Sequence, residues 1–176
     1  MKRNSLTPGD GYHTRLLTPA DLDQLQSLFE RAADYFRIAT GHPPGPDEAR
    51  RAFVAGPPTK SVNDKRVIGL FDRTGAIIGV LDAITDWPAT GTWTMGMLLL
   101  DPVKRGAGVG RALLRAYEEW AAAEGARSFR TAVVAHHDTG RRFLERAGYQ
   151  PESSLPDYDA GGRRATVLFF ARSAGT

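Results

Sequence analysis

A basic, glycine-rich turn is the segment of this sequence best suited to chemistry. Arg105 precedes Gly106, Gly108 and Gly110, and the apolar run Leu98–Leu100 leads into the turn. Glycines let the backbone approach a ligand closely and adopt dihedral angles that other residues avoid. If a helix begins directly after the turn, the backbone N–H groups at its start, together with the helix dipole, form a site for an anion such as phosphate.

Three other readings of this turn are available. A P-loop ends in Gly-Lys-Ser/Thr, whereas Gly110 is followed by Arg111 and Ala112. A dinucleotide fingerprint has the form G-x-G-x-x-G, and the alternating glycines here do not match that spacing. A plain strand-to-helix turn is the third, although three glycines behind an arginine are more than such a turn requires.

Two segments resemble the GCN5-related N-acetyltransferases, the GNAT family. Arg105-x-x-Gly108-x-Gly110 resembles the family signature R/Q-x-x-G-x-G/A, and the run Phe143–Tyr149 resembles its closing segment F-Y-x-x-x-G-F/Y. The order of predicted elements also agrees, so the resemblance covers about residues 12–171. It implies an acetyl-CoA-binding fold in which two central strands, here Thr92–Leu100 and Phe129–Ala135, splay apart around the pantetheine arm.

The resemblance also implies roles for individual residues. The backbone N–H groups of the glycine turn would hold the CoA pyrophosphate, and the backbone of Leu98–Leu100 would bind pantetheine and polarise the thioester carbonyl. His137 stands where the family commonly has an asparagine that contacts pantetheine or a catalytic water. The cofactor-binding residues expected on this basis are Leu98, Leu99, Leu100, Arg105, Gly106, Ala107, Gly108, Val109, Gly110, Arg111 and His137. Acetyl-CoA is the expected cosubstrate, and no metal is expected.

Transfer to an amine requires a group that removes the amine proton, because a primary amine has a pKa of about 10. Family members often carry a carboxylate for this on the strand that here is Thr92–Leu100, which contains no acid. The candidates are therefore Asp82, Asp86 and His137, as bases or proton shuttles. Each also has a structural interpretation: Asp82 as a hydrogen-bonded residue at a bulge or an exposed face, Asp86 as a turn residue, and His137 as part of a solvated loop.

The departing CoA thiolate needs a proton as well. Aligning Gly148-Tyr149 with the family's closing segment places Leu144 where a tyrosine commonly protonates that thiolate. Leucine carries no proton, so His137 or a bound water would have to replace the tyrosine, or the reaction would be slow.

Composition narrows the class of protein. The chain has 176 residues, a net charge of +3 and no cysteine, which excludes disulfides, zinc–thiolate sites and a cysteine acyl-enzyme. No apolar stretch approaches the ~20 residues that span a bilayer, and the chain does not open on a secretory signal. Arg and Lys are scattered rather than gathered in a stripe, so neither nucleic acid nor a membrane is expected as a partner. The expected location is the cytoplasm.

The elements that position these residues follow from periodicity and turn signals. We predict a strand at Tyr12–Leu17, one helix from Thr18 to about Thr40, and a short helix over Asp47–Ala55. The strands predicted after these helices are Val67–Phe71, Ala76–Thr85, Thr92–Leu100, Phe129–Ala135, Tyr149–Tyr158 and Arg164–Ala171. Two further helices are predicted between them, one from about Gly108 to Glu124 and one over Asp138–Ala147. The fold class is a single α/β domain: a mixed, mostly antiparallel sheet of about six or seven strands with helices on both faces. We expect a flexible tail at residues 1–10, one domain at 11–172 and a short tail at 173–176.

The leading hypothesis is an acetyl-CoA-dependent N-acetyltransferase that acts by direct attack of a small-molecule or peptide amine in a ternary complex, as a monomer or homodimer. The alternative on the same fold is a weak or inactive acyl-CoA-binding or sensing module, and a third class is a nucleotide or nucleic-acid binder. The acceptor pocket should lie near the first two helices and the turn at 86–93. Its possible walls are Tyr35, Phe36, Arg37, His42, Trp87 and Trp93.

Overall fold

The computed structural model describes residues 11–175, so the predicted N-terminal tail at residues 1–10 lies outside the described residues. The strands are β1 (His13–Leu16), β2 (Lys65–Phe71), β3 (Ile77–Ile84), β4 (Thr92–Leu100), β5 (Ser128–Val134), β6 (Gln150–Asp159) and β7 (Arg164–Ser173). The α-helices are α1 (Leu22–Arg31), α2 (Ala33–Thr40), α3 (Glu48–Val54), α4 (Val109–Ala123) and α5 (Asp138–Arg146).

All seven strands form one sheet in the order β1-β2-β3-β4-β5-β7-β6. Every neighbouring pair is antiparallel except β4 and β5, which are parallel because α4 connects them by a crossover. The predicted fold class, a mixed and mostly antiparallel sheet in a single domain, is confirmed. β7 extends to Ser173, one residue past the predicted end of the domain.

Helices cover both faces of the sheet, and each face has its own hydrophobic core. Leu25, Leu28 and Phe29 of α1 pack with Phe36 of α2 and with β2 and β3 on one face. The opposite face is covered by α4 and α5, whose Leu113, Leu114, Tyr117, Trp120 and Leu144 pack on β3, β4 and β5. In the described part of the chain, no helix is long and apolar enough to cross a membrane.

The two central strands separate along part of their length, as the family resemblance implies. β4 pairs with β5 only from Thr92 to Met95, opposite Ser128 to Thr131, although both strands continue beyond these residues. A β-bulge in the β3–β4 pairing, at Asp82 and Ala83, leaves Gly96 without an opposite residue at the point where the strands part. The later residues of β4 therefore have a strand neighbour on the β3 side alone.

The single helix predicted from Thr18 to Thr40 is wrong in one respect: the structure has two helices that meet at Ala32. Ala32 has φ −100° and ψ 30°, and its N–H still bonds the Leu28 carbonyl at 3.0 Å. The local sequence is helix-forming throughout, so the break has a tertiary cause. α2 turns to bring Asp34 to Arg105 and Tyr35 to His137.

Candidate functional site

The glycine turn between β4 and α4 presents a row of unpaired backbone donors. Gly106 and Gly108 have φ values of 82° and 79°, in the region that favours glycine. α4 begins at Val109, directly after Gly108. The N–H groups of residues 106–111 have no hydrogen-bond acceptor among the residues that the structure describes. Together with the positive end of the α4 dipole, these donors form a site that favours an anion.

This turn borders a cavity of about 390 Å³, here called the β4–α5 cavity. Its walls come from α2, the end of β4, the glycine turn and α5, so it lies beside the part of β4 that no longer pairs with β5. Its lining residues are Asp34, Tyr35, Ile38, Leu98, Leu99, Leu100, Arg105, Gly106, Gly108, Gly110, Arg111, His137, Thr139, Gly140, Phe143 and Arg146.

Nine of the eleven residues predicted from the sequence to bind the cofactor line this cavity. Of the two others, Val109, the first residue of α4, is buried in the core, and Ala107 is exposed in the turn. For these two only the backbone N–H groups remain available to a ligand. The assignment of all eleven residues to a cofactor stays a prediction.

Arg105 is held by partners of its own. Its Nε donates to the Leu100 carbonyl at 3.1 Å, and its guanidinium makes a two-point ion pair with Asp34 at the start of α2, with Nη2 to Oδ1 at 3.0 Å. The hydrogen bond from Arg105 holds the pKa of Asp34 below its ordinary value. The sequence indicates a positive charge at Arg105, and the structure shows that a carboxylate on the same cavity wall pairs with it.

His137 is the only catalytic candidate from the sequence that lines the β4–α5 cavity. It precedes α5, and its ring meets that of Tyr35 edge to face with centroids 6.1 Å apart. Burial lowers the pKa of His137, and the neighbouring His136 and Arg105 lower it further. The imidazole is therefore held toward its uncharged form.

Asp82 is buried at the β-bulge, outside the lining of the cavity. Its Oδ2 lies 3.3 Å from the ammonium of Lys65, which also donates to the Ala55 carbonyl at 2.6 Å. Burial raises the pKa of Asp82, while Lys65 and the N–H groups of Gly96 and Met97 act in the opposite direction. Because burial dominates, this carboxyl is poised to hold a proton more readily than an exposed aspartate.

Asp86 belongs to the turn between β3 and β4. It is exposed, its φ is 51°, and its Oδ1 accepts a hydrogen bond of 2.6 Å from the Gly91 N–H. The carboxylate thus closes the turn, and it does not line the β4–α5 cavity. This geometry favours the structural interpretation of Asp86, and a catalytic role stays an untested prediction.

Two neighbouring residues of α5 differ in their exposure to the cavity. Leu144 is buried in the core with Tyr117 and Tyr149, whereas Phe143 lines the β4–α5 cavity. The side chain at position 144 therefore serves packing. Nothing at this position can give a proton to a ligand in the cavity.

The predicted acceptor walls are divided between core and surface. Phe36 and Trp93 are 4% and 5% exposed, and Trp93 packs against Trp120 with ring centroids 5.3 Å apart. Both are core residues: Phe36 follows the usual behaviour of an aromatic residue at helical spacing, whereas the expectation that Trp93 lines the acceptor pocket is wrong. Tyr35 lies on the wall of the β4–α5 cavity, and Arg37 and His42 are exposed nearby on α2 and the loop after it.

Several wall residues escape sequence analysis, because the break at Ala32 is what places them there. Asp34 and Ile38 of α2 lie far from the glycine turn in sequence, and no local signal connects them to it. Thr139 and Gly140 lie two and three residues after His137, so the signal that selects His137 could have included them. Within residues 11–175, no group of three His, Asp or Glu side chains is arranged to hold a metal ion.

Comparison with known proteins defines the family. Residues 25–149 match the Acetyltransferase (GNAT) family, and this covers more than half of the chain. The chain belongs to the GNAT family of acetyltransferases, as the sequence motifs indicate. No curated protein matches the chain significantly.

Solved structures give the same fold. An acetyltransferase from Thermus thermophilus is 23% identical, with a TM-score of 0.69 over 93% of this chain and 97% of that one. RimL, a ribosomal L7/L12 alpha-N-protein acetyltransferase solved in complex with coenzyme A, is 15% identical, with a TM-score of 0.76 over 96% and 97% of the two chains. A GCN5-related N-acetyltransferase from Brucella melitensis is 19% identical, with a TM-score of 0.75 over 94% and 77%.

Proposed function

We propose that this protein transfers an acetyl group from acetyl-CoA to an amine by direct attack in a ternary complex. The observation that carries the proposal is the row of unpaired N–H groups at residues 106–111, set at the mouth of the β4–α5 cavity. Membership of an acetyltransferase family supports acetyl transfer in general. The nature of the acceptor, a small-molecule or peptide amine, and the direct route are parts of the proposal.

The residues of the site fit two parts of acetyl-CoA, the pyrophosphate and the pantetheine arm. The N–H groups of the glycine turn suit the pyrophosphate, because they are unpaired and lie at the positive end of α4. Beyond Met95, β4 lacks a partner on the β5 side, which leaves backbone groups of Leu98–Leu100 available to the amide groups of pantetheine. When bound, acetyl-CoA supplies a thioester carbonyl that an amine can attack.

Asp82 is our choice for the group that receives the amine proton. It lies at the bulge where β4 and β5 part, and its buried carboxyl has a raised pKa. A carboxyl whose pKa moves toward neutrality is a better match to a general base than an exposed one. His137, held uncharged on the cavity wall, is the second candidate.

The test of the CoA site is a pair of matched glycine variants. Gly108→Val should weaken CoA binding at least tenfold in calorimetry, because the added side chain stands among the donors and strains a backbone with φ 79°. Gly75→Val is the control, since Gly75 has φ 82° in the β2–β3 turn and, like Gly108, open space around its Cα. Both variants carry the same backbone strain. Equal CoA affinity in the two would show that the site is misplaced.

A non-catalytic acyl-CoA-binding or sensing module is the second candidate, and one observation favours it. Leu144 occupies the position of the expected proton donor and is buried in the core. Release of free CoA from acetyl-CoA, measured with a panel of small-molecule and peptide amines, separates the two. Tight CoA binding without turnover on any amine would favour the module.

A further inference from the structure

Leu144 cannot donate a proton to the CoA thiolate, so the donor must be sought elsewhere, and the tyrosines of the chain are the candidates. The chain has five: Tyr12, Tyr35, Tyr117, Tyr149 and Tyr158. Of these, only Tyr35 lines the β4–α5 cavity. We propose that Tyr35, from α2, supplies the phenolic proton to the thiolate of CoA in place of the tyrosine that Leu144 replaces. This inference rests on the proposed function.

The remaining tyrosines are committed elsewhere. Tyr149 donates to Glu118 Oε1 at 2.9 Å in the core, and Tyr117 is fully buried beneath Trp93 and Phe129. Tyr158 is on the exposed edge strand β6, and the ring of Tyr12 lies 6.0 Å from the Lys104 ammonium. None of these four side chains reaches the wall of the cavity.

Tyr35 is held in place by its ring, and its hydroxyl is unengaged. The ring meets Phe36 edge to face at 5.4 Å and His137 at 6.1 Å between centroids. Within the part of the chain that the structure describes, the Tyr35 hydroxyl has no hydrogen-bond partner. A phenol fixed by packing, with its donor unused at a cavity wall, is preorganised to bond a ligand atom.

The surroundings of Tyr35 make it a donor rather than a base. Burial raises its pKa, and the negative charge of Asp82 raises it further. The phenol therefore keeps its proton at any working pH, and it can donate a hydrogen bond to the sulfur as negative charge develops there.

The proton balance of the transfer is closed by these two residues. A bond forms between the amine nitrogen and the acetyl carbon, and the carbon–sulfur bond breaks with its electron pair left on sulfur. Sulfur takes the phenolic proton of Tyr35. The proton that the amine loses is received at the Asp82 carboxylate and returns to the Tyr35 phenolate, so the enzyme ends as it began.

The decisive measurement uses bound CoA and needs no turnover. Because the chain has no cysteine, alkylation by iodoacetamide of CoA held by excess protein reports the CoA thiol alone. The pH dependence of that rate gives the thiol pKa in the complex. We expect this pKa to be higher in Tyr35→Phe than in the wild type by about one to two units, the size of a hydrogen bond to a charged group.

Tyr117→Phe is the matched control, because it removes the same atom from a tyrosine outside the cavity. It should leave the thiol pKa at the wild-type value and raise the melting temperature, since the Tyr117 hydroxyl is buried without a partner. If the wild type binds CoA and Tyr35→Phe has the same thiol pKa, the inference fails while the proposed function stands. If the wild type does not bind CoA, both fail.

A second readout follows the leaving group. Tyr35→Phe should lower kcat with acetyl-CoA by ten- to a hundredfold at nearly unchanged KM. With 4-nitrophenyl acetate, whose leaving group is stable without a proton at neutral pH, the kcat of the same variant should stay close to that of the wild type. Equal losses with both acetyl donors would assign Tyr35 to packing and overturn the inference.

Discussion

At the scale of single residues, Asp82 shows how one side chain can have both structural and chemical duties. Its carboxylate pairs with Lys65 and accepts backbone hydrogen bonds from Gly96 and Met97, and these contacts stabilise the β-bulge. The bulge in turn sits where β4 and β5 part. The residue that we propose as the proton acceptor thus also has a structural part in the bulge.

Asp82→Asn should separate the two duties. We expect kcat to fall by about 10²–10⁴-fold with CoA affinity little changed, because an amide cannot accept the amine proton. Lys65→Met is the control: it breaks the same ion pair but keeps the carboxylate, so most of kcat should survive. Since Lys65 lowers the Asp82 pKa, its removal should also move the acid limb of the pH–rate profile to higher pH.

Steady-state kinetics measures kcat and calorimetry measures CoA affinity, both at a temperature where all variants are folded. His137→Ala and Asp86→Asn complete the set, and Asp82→Asn should show the largest loss of kcat. If Asp82→Asn and Lys65→Met both lose stability at normal turnover, Asp82 is structural. Small, equal losses in all three candidates would mean that water takes the proton unaided.

At the scale of elements, the start of α1 depends on one ion pair. Asp21 ends the short turn before α1 and accepts hydrogen bonds from Arg15 at 2.7 and 2.8 Å and from the Thr18 N–H at 2.8 Å. The hydrogen bond from Arg15 lowers the pKa of Asp21 from 3.8 to about 2. The contact ties β1 to the helix that covers the first core.

The lowered pKa of Asp21 predicts that the protein loses stability in acid. Because the folded pKa lies below the unfolded one, the stabilisation is complete above pH 3.8 and is lost as the pH falls toward about 2. Asp21→Asn should lower the free energy of unfolding by about 1–2 kcal/mol near pH 6, a range reduced for the solvent around Arg15. Urea unfolding from pH 6 to pH 2 should show this difference disappear. Asp23→Asn, an exposed change in the same helix, should show no such trend.

The elements themselves were largely predictable, and their breaks were not. Apolar runs identified β4, and the 3.6-residue period with a following glycine identified α4, because local sequence decides those patterns. The strand–turn–helix geometry of the glycine turn was predictable for the same reason, and its role in binding a cofactor stays a prediction. The break at Ala32 places Asp34 on the cavity wall, where it pairs with Arg105, 71 positions away. Short-range patterns carry no information about such contacts.

At the scale of the whole molecule, the β4–α5 cavity joins two halves that are otherwise packed separately. α2 belongs to the core on one face of the sheet, and α5 belongs to the core on the other. Both contribute wall residues to the same cavity, Tyr35 from α2 and Phe143 from α5. A ligand that fills the cavity touches both faces at once, so its binding energy should be distributed across the sheet.

Hydrogen–deuterium exchange with and without CoA tests this coupling. CoA at about a hundred times its Kd stabilises the binding-competent state by about 2.7 kcal/mol, which slows every opening that disrupts the site. We expect slower exchange in residues 106–111 and also in both α2 and α5, with no change in the β2–β3 turn at residues 72–76, which lies outside the cavity. Gly108→Val should show none of this protection at the same CoA concentration. Protection confined to residues 106–111 would mean that the ligand contacts the turn alone, and the path proposed for pantetheine along the unpaired end of β4 would be wrong.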